Sequence, residues 1–126
     1  MSDKIKQLSD LDADLLRGLP ADFTCSKNIN GYTKLPNGLI IQWGRVEDAT
    51  GNNGDYQVTF PITFPAACQS IVLSIDQGAA GSKVEGVGPS TATNTGFVFN
   101  AWTVNGPTSI NHIPSNHPVY WLAIGY

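Results

Sequence analysis

His112 and His117 stand five residues apart in the Pro-bounded stretch 105–118 and are the only imidazoles in the chain. At that spacing two imidazoles can share a metal ion, or meet their symmetry mates on a three-fold axis. A single chain offers no third ligand of the kind a tetrahedral site needs, so two loop histidines without a metal are the simpler expectation. Asp48 and Asp55 are the candidate carboxylate pair. Glycoside hydrolysis requires two carboxyl groups at a fixed separation, and the Gly/Asn-rich run between these two supplies no rigid frame. GxSxG, HExxH, a phosphate-cradling glycine loop and EF-hand spacing are all absent. The expectation is therefore a protein that is not an enzyme and carries no cofactor.

The aromatic residues point to a different chemistry. Three Trp, four Tyr and five Phe exceed what one small core requires, and several stand at strand ends beside runs of Asn, Ser and Thr. Sugars stack their C–H faces on flat rings while their hydroxyls bond amides and hydroxyls. The candidate glycan-binding set is Asn52, Asn53 and Asp55 from one polar loop, and Asn105, Asn111, His112, Asn116 and His117 from another. Trp102 and Tyr120 flank that set as candidate stacking platforms, with a core position as the alternative for either. Trp43 and Phe97 read as core.

Composition narrows the partner class. Charged residues are only 13% of the chain, against roughly a quarter in an average soluble domain, so neutral polar groups must cover the surface. The net charge is −3 with no basic cluster, which argues against nucleic acid, since phosphate binding needs several Lys or Arg on one face. Cys25 and Cys68 are too few and too far apart for a disulfide framework or a paired CxxC zinc site. No signal-peptide core and no apolar run of bilayer-spanning length is present, so synthesis in the cytoplasm without membrane insertion is expected.

The elements that must position these residues are mostly strands. Residues 3–17 read as a helix with Ile5, Leu8, Leu11 and Leu15 on a narrow stripe, stopped by Gly18 and Pro20. That stripe suits an oligomeric seam or a docked helix. The expected organisation is an oligomerising helix over 1–18, a linker over 19–31, and a head over 32–126. In the head, the turn signal Leu35-Pro36-Asn37-Gly38 opens a strand over 39–44, with Leu39, Ile41 and Trp43 sharing a face. Residues 56–60 form an edge strand or a strand with a break, because Pro61 and Pro65 follow. Residues 69–76 form a strand with Ile71, Leu73 and Ile75 on one face, and 96–104 another with Phe97, Phe99 and Ala101 together. Residues 77–95 read as a long loop with one weak strand at 83–87. The final strand, 119–126, is apolar on both faces, which requires cover above and below or a subunit interface. Five or six strands with long loops make a small antiparallel β-sandwich.

Three blocks in one order carry a family likeness: Gly31-Tyr32-Thr33-Lys34-Leu35-Pro36-Asn37-Gly38-Leu39-Ile40-Ile41-Gln42-Trp43-Gly44, then Phe60-Pro61-Ile62-Thr63-Phe64-Pro65, then Trp121-Leu122-Ala123-Ile124-Gly125-Tyr126. Over residues 31–126 the chain resembles the C-terminal tip domain of tailed-phage and prophage tail fibres. The resemblance implies an all-β, homotrimeric sandwich head at a fibre end in the virion. It also implies binding to a bacterial surface glycan, usually lipopolysaccharide, and makes the N-terminal helix the end of a shaft. The matching motifs are scaffold motifs and assign no binding residue.

Overall fold

The computed structural model describes residues 24–47, 55–76, 84–104, 110–112 and 117–126. The expected helix over 1–18, with Asp48, Asn52, Asn53, Asn105 and Asn116, lies outside them. All regular elements among the described residues are strands: β1 (Cys25–Ser26), β2 (Gly31–Lys34), β3 (Ile40–Val46), β4 (Asp55–Thr59), β5 (Cys68–Ile75), β6 (Val84–Ala92), β7 (Gly96–Val104), β8 (Ile110–His112) and β9 (Val119–Gly125). They form a five-stranded sheet, β1-β2-β3-β9-β5, and a second sheet, β4-β7-β6, to which β8 adds on β7. Each pairing is antiparallel. β4 takes residues 96–100 of β7 and β8 takes 102–104, so these two strands share the edge of β7 that β6 leaves open.

The terminal strand organises the first sheet. β9 runs between β3 and β5, with Val46, Val119 and Ile75 in one row and Ile40, Gly125 and Cys68 in another. Its inward set, Val119, Trp121, Ala123 and Gly125, is buried. Facing it across the sandwich are Val58, Phe97, Phe99 and Ala101 of the second sheet. The Phe97 and Trp121 rings meet edge to face at 5.5 Å, and Phe60 and Phe64 at 5.0 Å, geometries that add to the burial of each ring. Pro61 and Pro65 end β4 and let the chain fold Phe64 under the core, where it is wholly buried. The hairpin at 35–38 closes through Leu35 N–H donating to Leu39 O (2.8 Å) and Gly38 N–H donating to Leu35 O (3.0 Å). Gly38 sits at φ 90°, the left-handed region that favours glycine.

Four readings of the sequence are corrected. Leu39, Ile41 and Trp43 do share a face, but it is the outer one; the inward residues of β3 are Ile40, Gln42 and Gly44. Gln42 disguised the true phase. Its buried amide donates to Ile62 O (2.8 Å) and accepts from Ile62 N–H (2.9 Å), so both polar atoms of this core side chain have a backbone partner. Trp43 is accordingly half-exposed, not core, and donates to Asn28 O at 3.1 Å. Within the stretch 77–95, the weak strand expected at 83–87 is instead the nine-residue β6, which runs on through Gly88 and Pro89 by pairing along β7 and absorbs Pro89 in a bulge between Pro89 and Thr91. β1 and β8 lie in stretches read as linker and loop, each too short for periodicity to reveal.

Candidate functional site

The register gives the sandwich two distinct ends. At one end lie Lys34, Ile40, Gly125 and Cys68, with Thr59 and Gly96 of the second sheet. Thr24, the first described residue, is fastened here, because Lys34 N–H donates to Thr24 O at 3.0 Å. At the other end lie Val46, Val119 and Ile75, with Val84, Val104 and Ile110. Of the described residues that flank the polar segments 48–54, 77–83 and 105–109, Glu47, Asp76, Val84, Val104 and Ile110 lie at this second end, while Asp55 stands opposite Asn100, midway along β7. Thr24 is therefore held at one end, together with the short 35–39 and 93–95 turns, while the segments that follow Val46, Ile75 and Val104 leave from the other. Val46, Val84 and Val104, from which the 48–54, 77–83 and 105–109 segments depart, thus lie at one end.

Four of the candidate glycan residues have described side chains. Asp55 is exposed at the start of β4, opposite Asn100. Trp102 is exposed on the outer face of the second sheet, lying over Gly86. Tyr120 is exposed on the outer face of the first sheet, with the Arg45 guanidinium 5.4 Å from its ring centre. Both rings are thus available for stacking near the loop-bearing end. They face outward from opposite sheets, however, and do not frame one shared surface. Asn111 and His112 belong to β8, opposite Thr103 and Trp102.

His117 is placed differently from an exposed loop imidazole. Its Nδ1 lies 2.7 Å from Glu85 Oε2, and the Glu85 side chain is 1% exposed against 18% for His117. Glu85 pairs across β6 and β7 with the buried Thr103. The pair ties the lead-in to β9, in one sheet, to β6, in the other. Sequence reasoning missed Glu85; the available signal was a lone carboxylate in the otherwise uncharged run Val84-Glu85-Gly86-Val87-Gly88. Among the described residues no three His, Cys, Asp or Glu side chains converge on a metal position.

A second concavity, of about 220 Å³, lies at the opposite end, between the bulge of β5 at Cys68/Ser70 and that of β6 at Pro89/Thr91. Its walls include Gln69, Ser70, Ser90 and Thr91 and carry no charge. Burial pushes the Cys68 thiol above its usual range, partly offset by its contact with the Ser70 carbonyl. Cys25 and Cys68 are both free, as their spacing implied.

Comparison with known proteins bears on this architecture. The model of the gp53-like tail fiber protein C-terminal family matches residues 34–126. The uncharacterized protein MJ0347 of Methanocaldococcus jannaschii is 35% identical over 103 residues, covering 79% of this chain, and the chain spans 65% of that relative's length. Among solved structures, an N-truncated R1-type pyocin tail fiber is similar at TM-score 0.63 and 30% identity, over 82% of this chain and 84% of that one. The P. aeruginosa R2 pyocin fiber comprising C-terminal residues 323–691 is similar at TM-score 0.64 and 26% identity, over 82% of this chain and 25% of that one. The all-β sandwich, the order of its scaffold blocks and the match across the whole head converge: the chain belongs to the gp53-like family of tail fibre C-terminal domains.

Proposed function

We propose that this protein is the receptor-binding tip of a tail fibre, a non-enzymatic homotrimer that recognises a bacterial surface glycan such as lipopolysaccharide during adsorption. The observation that carries the reading is the polarity of the head. Thr24, where the preceding chain joins, lies at the end opposite Val46, Ile75, Val84 and Val104, from which polar loops depart. A shaft continuing from residue 24 would hold those loops outermost, where Asn, Ser and His side chains meet a host surface first.

Trimerisation rests on the outer face of the first sheet. Val72, Leu122 and Trp43 form one row across β5, β9 and β3, with Ile124 and Ile41 in the next. Val72 is 60% exposed and Leu122 40%. A contiguous uncharged apolar row in three paired strands is unusual on a free surface and suits packing against other copies. Three copies would multiply a weak sugar affinity.

A glycan array with lipopolysaccharides from several strains tests the reading; a selective pattern supports it. Equal, negligible signal on all glycans would instead favour a structural fibre cap with no recognition of its own. Release of oligosaccharide from incubated lipopolysaccharide would identify a depolymerase. The loop assignment is tested by replacing Asn111, His112 and Asn116 with Ala while keeping His117: host-cell binding falls at least tenfold, a loss of about 1.4 kcal/mol.

A further inference from the structure

The Glu85–His117 pair has more in it than a tie between sheets. A carboxylate in its ionised form only accepts hydrogen bonds. With Oε2 of Glu85 at 2.7 Å from Nδ1, an ionised Glu85 places the proton between them on Nδ1, and whenever the ring is neutral its lone pair is then on Nε2. The arrangement is the one by which a carboxylate behind a histidine sets which ring nitrogen is free to bind. The backbone is held as well, since Asp76 N–H donates to Pro118 O at 2.9 Å, one residue beyond the ring. Among the described residues no group bonds Nε2, and the ring keeps 18% of its surface open at the loop-bearing end.

We infer that Glu85 is a positioning residue for recognition: it holds His117 as the Nδ1–H tautomer, so that Nε2 accepts a hydrogen bond from a hydroxyl of the bound glycan. This rests on the receptor-binding reading above. It assigns a role to a buried side chain that never touches ligand. It also defines the ligand chemistry at this point as a neutral hydroxyl donor, which Nε2 of a protonated ring would no longer serve as acceptor. No bond is made or broken.

Two-bond 1H–15N correlation NMR of the ring nitrogens at mildly alkaline pH tests the tautomer in the intact chain, with His117→Gln identifying the His117 signals. Protonated Nδ1 with an unprotonated Nε2 is expected; the Nε2–H tautomer overturns the inference without any binding measurement. The second arm measures adsorption to purified lipopolysaccharide from a strain the protein binds. Glu85→Gln is expected to weaken it about fivefold, and the double variant Glu85→Gln/His117→Gln to recover most of the loss, because the glutamine at 117 brings its own amide acceptor. Unchanged adsorption in Glu85→Gln, or no recovery in the double variant, overturns the positioning role. If wild-type protein prefers no lipopolysaccharide at all, the receptor reading itself falls, while the NMR result still decides the tautomer.

Discussion

Trp121 lies directly opposite Gly44 in the β3–β9 ladder, and its indole occupies the space where a side chain at 44 would begin. The same relation recurs at the other two tryptophans: Trp43 faces Gly31 across β2 and β3, and Trp102 faces Gly86 across β6 and β7. Cross-strand pairing of an aromatic with a glycine lets the ring lie flat over the neighbouring backbone. All three tryptophans in the chain are seated this way.

Gly44→Ala is expected to cost about 1–3 kcal/mol, because the Trp121 ring is buried on the core side and has nowhere to move. Thermal melting measures this. A melting temperature unchanged from wild type would show that the core yields at this point.

Gln42→Ala should be more damaging than its size suggests. It removes both partners of the Ile62 backbone, leaving an N–H and a C=O unpaired in the interior as well as a void. A loss of about 2–4 kcal/mol is expected in denaturant unfolding. A loss below 1 kcal/mol would mean that water replaces the amide.

The apolar row on the first sheet gives a direct test of assembly. Wild-type protein is expected at about three times the 13.5 kDa chain mass in light scattering. Leu122→Asp together with Val72→Asp should yield a folded monomer, since both side chains point away from the core. A wild-type monomer at micromolar concentration would rule the trimer out, and an intact trimer in the double variant would move the interface elsewhere.

Removing residues 119–126 should abolish soluble folding. β9 supplies the inner partner for both β3 and β5, and the Tyr126 carbonyl accepts from Ala66 and Ala67 N–H at 2.8 Å each. Circular dichroism and solubility of the shortened chain decide this; a folded soluble product would make the strand peripheral.

The two thiols should separate by pH. Only the thiolate alkylates, and burial raises Cys68 above the ordinary thiol range, so iodoacetamide should label Cys25 ahead of Cys68 at pH 8. The gap should narrow as pH rises further. Because the folded value lies above the unfolded one, the associated stability is present at neutral pH and declines as pH climbs past the unfolded thiol value. Equal labelling rates at pH 8 would contradict the burial effect.

Much of this fold was legible in the chain itself. The alternation in 96–104 and 119–126 grouped Phe97 with Phe99 and Val119 with Trp121, because a strand's period of two leaves no other way to group them, while the structure decided that the doubly apolar last strand turns Val119 and Trp121 inward. Pro61 and Pro65 marked β4 as an edge strand, and Asn37-Gly38 marked the hairpin, since each residue type restricts the backbone locally. These are properties that neighbouring residues decide among themselves. The phase of β3, the extent of β6 and the place of His117 were decided elsewhere. Gln42 is tolerable inside only because Ile62, twenty residues on, presents its backbone. The Gly/Ser-rich β6 is a strand only because β7 supplies its ladder. His117 meets Glu85 across thirty-two positions and between two sheets. Periodicity records which side of an element prefers water; which polar group finds a partner in the interior depends on distant backbone brought near, and only the tertiary structure decides that.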